Sequence, residues 1–361
     1  MCTTPITIKN TNKGAKHFSA LRDNVSEYIR VPCGHCGQCI AMRQMDIIQR
    51  TQMEALDSYL YYCTMTYQDS TLPILETEQN YKFKYAKYED IRDTIQRIRK
   101  SNKFGVPFKH LYVSERGHKY GRPHFHMIIA IKKSLIGKTW IDGYGMRDTI
   151  FKVLLNEWKR NMGSKTHPLY TNLCRYVEKW EYLGGGLKRL RRTFDVQFIN
   201  PGTEDDVGFY VLKYMLKDIN GNIGERTRQA IKLNYSEEQY KEIWRTIKNR
   251  FDSTPNWGCS EKAKEYIQKC IVDSYMNGAE MPYFINPNTG QHFPLSDYYR
   301  KKYWNKSYTT LFEENAKNKG INNKLKLFDK VPEDVQRELK EYRKRNQIVN
   351  GAPTWIEFEK L

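Results

Sequence analysis

Tyr120-Gly121-Arg122-Pro123-His124-Phe125-His126-Met127-Ile128-Ile129-Ala130-Ile131 is the stretch on which the fold turns. The apolar, partly β-branched run after the histidines predicts a buried strand. Side chains at i and i+2 of a strand point to one face. His124 and His126 are therefore expected together on one face, with Phe125 on the other. Two imidazoles converging on one face make half of a divalent-metal site.

A second stretch, Gly208-Phe209-Tyr210-Val211-Leu212-Lys213-Tyr214-Met215-Leu216-Lys217, predicts a helix over about 205–217. Tyr210 and Tyr214 are four apart, as are Lys213 and Lys217, and i and i+4 share a helix face. Alone, such tyrosines are ordinary packing residues. With a metal-binding strand upstream, two presented phenols point to phosphotyrosyl transfer on nucleic acid.

These stretches resemble the HUH endonucleases that start rolling-circle replication. The resemblance is closest to the replication initiators of microviruses, single-stranded DNA phages of the gokushovirus-like group. It rests on Val31-Pro32-Cys33-Gly34-His35-Cys36-Gly37-Gln38-Cys39, Cys63-Thr64-Met65-Thr66-Tyr67, Ser114-Glu115-Arg116, Gly121 to His126 and Tyr210 to Lys217, in the family's order. It implies an origin-nicking enzyme that alternates Tyr210 and Tyr214 as nucleophiles and takes Glu115 as third metal ligand. Lys213 matches the lysine between the family's tyrosines and is expected to assist at the phosphate, with Lys217 beside it. Mg²⁺ or Mn²⁺ suits two histidines and a carboxylate with positions left for substrate; three protein ligands also suit Zn²⁺. The DNA of a viral replicative-form origin, a host helicase and a host polymerase are the implied partners.

Charge supports the same class. Sixty Lys+Arg against 41 Asp+Glu give +19, an excess that favours a polyanionic partner. The 26 tyrosines, interleaved with basic residues, suit single-stranded DNA, whose bases stack on rings. No apolar run approaches the roughly 20 residues of a membrane span. Met1-Cys2-Thr3-Thr4-Pro5 has no hydrophobic signal core. The expected location is the cytoplasm, that of a bacterial host if the resemblance holds. Eight cysteines then argue for thiols or metal rather than a disulfide scaffold.

Along the chain, residues 1–39 read as loop with a cysteine cluster. Cys33, Cys36 and Cys39 supply three thiolates of a tetrahedral structural zinc site. The resemblance makes Cys2 the expected fourth ligand; His35 suits the geometry less well. An amphipathic helix is expected over 40–58, a strand over 59–67, a polar loop over 69–86 and a helix over 87–101. Strands over 108–115 and 123–131 follow, then a helix over 148–162 and a strand over 193–200. The fold class is α+β: a central antiparallel sheet of split-βαβ type with helices on one face, plus a mostly helical C-terminal region. Residues 163–192 depart from the simple family pattern. Their Gly184-Gly185-Gly186 run precedes a basic run and predicts a mobile arm or hairpin tip. Lys188, Arg189, Arg191 and Arg192, with Arg122, are the expected DNA contacts. Helices are expected over 236–251, 260–276 and 332–346. The expected domains are 1–58 (cysteine cluster and helix), 59–220 (endonuclease) and 221–361 (helical, DNA-binding or docking).

Three other readings compete. A single-strand transposase shares the chemistry but usually presents one tyrosine. A histidine-triad hydrolase needs a third histidine where Ile128 stands. A basic packaging protein explains the charge but not the two pairs of reactive side chains.

Overall fold

The computed structural model describes residues 5–9, 27–33, 36–116, 122–184, 187–200, 202, 229, 231–248, 250–303 and 312. The chain divides into two units, one of residues 50–263 and one of residues 1–49 with 264–361.

The unit of residues 50–263 is built on a five-stranded antiparallel sheet. Its elements are β1 (Ser58–Thr66), α1 (Tyr88–Lys100), β2 (Lys109–Arg116), β3 (Pro123–Lys132), α2 (Trp140–Glu157), β4 (Glu178–Gly184), β5 (Leu187–Arg192), β6 (Phe194–Phe198) and β7 (Phe251–Ser253). The strand order is β6-β1-β3-β2-β7. The α+β class and antiparallel sheet expected from the sequence are present, and β1, β2, β3 and β6 fall on the expected strands.

Register fixes the faces. Cys63 lies opposite Met127, and Met127 opposite Tyr112. Tyr61, Cys63, Met65, Phe125, Met127 and Ile129 thus share a face, on which Ile91, Ile95 and Ile98 of α1 and Ile150 and Leu154 of α2 complete the main core. The i, i+4, i+7 spacing on α1 presents its three isoleucines as one stripe. Phe125 is fully buried, with its ring against Tyr67, Tyr112 and Trp158. The indole N–H of Trp158 donates to the Thr66 carbonyl at 2.7 Å. Beside it, buried Glu157 takes Lys103 at 2.5 Å, Arg97 at 3.3 Å and Lys159 at 3.5 Å.

Several local expectations are corrected. α2 begins eight residues before the expected start, because Thr139 and Asp142 form a reciprocal capping box. Gly143 and Gly145 had hidden that first turn. The expected loop over 69–86 holds a hairpin, Ile74–Glu76 with Lys82–Lys84, and Asn80 in its turn adopts φ 62°. The segment 163–192 is a hairpin rather than a loose arm, with β4 and β5 paired antiparallel. The helix expected over 236–251 spans Glu237–Ile247, and the chain then turns extended to add β7 to the sheet edge. Backbone bonds at 2.8 Å from Ser114 N–H to the Arg250 carbonyl and from Thr254 N–H to the His110 carbonyl hold that edge.

In the other unit, residues expected as loop form an antiparallel hairpin, Ile6–Lys9 with Tyr28–Val31. The helix Glu261–Met276 and the hairpin Tyr283–Ile285 with His292–Pro294 bury Ile267, Ile271 and Phe284. Buried Gln49 donates to the Pro294 carbonyl at 2.8 Å and accepts from the Ser296 N–H at 2.9 Å. No described helix is long and apolar enough to cross a membrane. The expected helices over 205–217 and 332–346 lie outside the described residues.

Candidate functional site

The face of the sheet opposite Phe125 carries the site. In the antiparallel register Glu115 lies directly opposite His124, and His124 opposite Thr66. One row along, His126 lies opposite Thr64. The alternation that buries Phe125 therefore gathers Glu115, His124 and His126.

Their ligand atoms converge. The two Nε2 atoms are 3.0 Å apart. A Glu115 oxygen lies 3.3 Å from His126 Nε2, and the other lies 3.7 Å from His124 Nε2. Ligand atoms on one ion with bonds of about 2.1 Å stand roughly 3.0 Å apart at right angles and roughly 3.4 Å apart at the tetrahedral angle. The spacing suits one divalent ion.

Hydrogen-bond polarity favours it too. His124 Nδ1 sits 3.0 Å from the Arg122 carbonyl, which can only accept, so Nδ1 carries the proton. A neutral His124 then aims an Nε2 lone pair at His126 Nε2. Positive charge between the two nitrogens, a cation or a proton, relieves that opposition. Glu115, only 3% exposed, needs the same charge, since a buried carboxylate is costly without an opposite partner.

Two residues missed by sequence reasoning hold His126. The Tyr62 hydroxyl bonds its Nδ1, and Thr64 Oγ1 lies 3.2 Å from the same nitrogen. Partners on the far ring nitrogen fix a metal-binding imidazole's tautomer and orientation. Their signal was the period of two in β1, which puts residues 62, 64 and 66 on the histidine face.

The cysteine cluster forms a second group. The ligand atoms of Cys33, Cys36 and Cys39 lie within 4.8 Å of one another. Cys33 and Cys39 sulfurs are 4.0 Å apart, close to the roughly 3.8 Å that two thiolates keep on a tetrahedral zinc. The Cys36 N–H donates to Cys33 Sγ at 3.3 Å, which favours the thiolate. Cys39 stands in the first turn of the helix Gly37–Ala55, where the helix dipole favours negative charge. No disulfide joins the described cysteines.

Of the expected DNA contacts, Arg122 reaches the exposed carboxylate of Asp69. Arg192 bridges Glu178 at 2.8 Å and Asp195 at 3.2 Å. Lys188, Arg189 and Arg191 lie on β5 of the hairpin. Tyr210, Lys213, Tyr214, Lys217, Cys2 and His35 lie outside the described residues.

Residues 60–219 match the family model of the replication-associated protein ORF2. The match spans less than half of the chain and takes in Glu115, His124, His126 and both tyrosines. It supports a rolling-circle replication initiator, and with that a DNA partner. No curated protein and no solved structure matches the chain.

Proposed function

We propose that the chain starts rolling-circle replication by nicking origin DNA with a tyrosine, holding the new 5′ end as a phosphotyrosyl ester and later rejoining the displaced strand into a circle. The observation that carries this reading is the convergence of Glu115, His124 and His126 inside the span that matches a replication-associated family.

Glu115, His124 and His126 hold the ion, and Tyr62 and Thr64 keep the His126 lone pair aimed at it. A bound Mg²⁺ or Mn²⁺ supplies electrophilic stabilisation of charge on the scissile phosphate. Tyr210 or Tyr214 attacks phosphorus through its phenolic oxygen. The bond from phosphorus to the 3′ oxygen breaks, and that oxygen leaves as a hydroxyl with the proton the phenol gives up. Lys213 and Lys217 offset phosphate charge. The ester retains the bond energy, so rejoining needs no nucleotide. The freed 3′-hydroxyl primes synthesis by the host polymerase. The second tyrosine cuts the regenerated origin while the first still holds the old end.

Chain length allows the meeting. β6 runs away from the site, from the Met65 row at Phe194 to the Tyr61 row at Phe198. Tyr210 follows Phe198 by twelve residues. Even wholly helical, that segment would rise about 18 Å. The way back from the Tyr61 row to the Thr66 row is five residues of strand, about 17 Å.

The Cys33, Cys36 and Cys39 site is assigned to structural zinc, with Cys2 as fourth ligand. The test of the main reading is incubation with a supercoiled circle bearing the cognate origin and Mn²⁺. A nick with protein attached to the 5′ end is expected. The double variant Tyr210→Phe, Tyr214→Phe should bind DNA and form no adduct; an adduct from it would reject these nucleophiles.

A further inference from the structure

The hairpin of β4 and β5 carries a pattern that phosphate contact alone does not explain. Trp180 and Tyr182 stand two apart on β4, so they share a face, and they are 63% and 71% exposed. Their cross-strand partners are Leu190 and Lys188. A strand that keeps two large rings in water usually presents them to a partner, since isolated exposed rings gain nothing from folding.

The partner's chemistry follows from charge and spacing. From residue 178 to residue 192 the chain has five basic residues against two acidic ones, and one of those acids, Glu178, is bridged to Arg192. A surface of rings flanked by cations suits a polyanion with flat, apolar faces. Two residues of strand place the ring-bearing Cα atoms about 7 Å apart. Bases in a duplex are stacked about 3.4 Å apart and offer their faces only to each other. The spacing suits bases separated from their neighbours, as in a single strand.

The base of the hairpin gives it a direction. Thr193, directly after β5, takes a hydrogen bond on its carbonyl from Thr66 Oγ1. Thr66 lies opposite His124 in the sheet. Thr193 is tied back a second time, its hydroxyl donating to the Arg175 carbonyl and accepting from the Val177 N–H, both at 2.9 Å. The hairpin therefore springs from the sheet at the row that holds the metal ligands.

We propose that β4 and β5 form a stacking platform for single-stranded DNA, with Trp180 and Tyr182 each taking a base and the basic residues of β5 taking the phosphates. The strand so held is led toward the Glu115, His124 and His126 row. This rests on the proposed function for its DNA partner, but not on any nicking step.

The test measures binding of the full chain to a labelled oligo(dT) of roughly 16 nucleotides, which carries no origin and asks for no chemistry. Trp180→Ala with Tyr182→Ala should weaken binding at least tenfold, since one lost base stack alone costs about five- to a hundredfold. The slope of affinity against salt should persist, because the phosphate contacts remain. Trp180→Phe with Tyr182→Phe should hold affinity within about threefold. Thermal unfolding of both variants provides the folding control. The platform is refuted if the alanine pair binds oligo(dT) like the parent, or if duplex binding falls by the same factor. A chain that passes this test yet forms no adduct at an origin would overturn the nicking mechanism and leave the platform standing.

Discussion

The ring of Tyr62 stacks on the ring of His126, with centroids 5.3 Å apart and planes 20° from parallel, and its hydroxyl bonds His126 Nδ1. A residue on β1 thus sets the orientation of a histidine on β3. The far nitrogen, Nε2, is left facing Glu115.

Loss of that support should show in metal affinity. Tyr62→Phe combined with Thr64→Val is expected to weaken Mn²⁺ binding about 10–100-fold. Titration calorimetry on the free protein reads this directly, and excess Mn²⁺ should restore DNA adduct formation. Unaltered Mn²⁺ affinity would show that the two hydroxyls do not support the ligand.

Adjacent residues on β3 should give opposite phenotypes. Phe125→Ala empties a buried site between Tyr67, Tyr112 and Trp158 and should cost about 3–5 kcal/mol of stability. His124→Ala sits at the half-buried end and should abolish Mn²⁺ binding while lowering stability far less. Urea unfolding beside a Mn²⁺ titration separates the two. Equal destabilisation would contradict the division of faces.

Glu157 should make the fold acid-sensitive. Burial alone would push its carboxyl up, but the Lys103 ammonium, with the charges of Lys159 and Arg97, outweighs this and holds it below the ordinary range. A depressed carboxyl stabilises the fold above its unfolded value, and that contribution fades as pH falls through the folded value. Glu157→Gln should therefore flatten the loss of thermal stability between about pH 6 and about pH 3. At neutral pH, Glu157→Ala should cost roughly 2–3 kcal/mol, less than a fully buried pair because its cations stay partly solvated. A parallel pH profile in the variant would rule this out.

Zinc should depend on the cysteines alone. Elemental analysis of the purified chain is expected to give one zinc, and Cys33→Ser should remove it. Zinc retained by that variant would place the ion elsewhere.

The strands of the central sheet were legible because each carries a buried alternating or continuous apolar pattern that no helix would satisfy. The pairing of His124 with His126 was legible for the same reason, since a period of two is a local property. Glu115 came from resemblance, and the hairpin register then put it opposite His124. Tyr62 and Thr64 escaped notice because their role depends on which strand lies beside β3. β7 was unreadable for a different cause: Phe251–Ser253 is three residues long and gains its place only by pairing with β2. The early start of α2 was masked by its glycines, whose low helix propensity is overridden by the Thr139 cap.

By itself the sequence determined the strand periods, the shared face of the two histidines, the cluster of three thiols and the excess of positive charge. These follow from chain geometry over a few residues. Only the tertiary structure decided that Glu115 closes the metal site, that Tyr62 and Thr64 orient it, and that the exposed rings of β4 rise from the same row. Strand order and register are set by burial summed over the whole sheet, and no short stretch of chain encodes that sum.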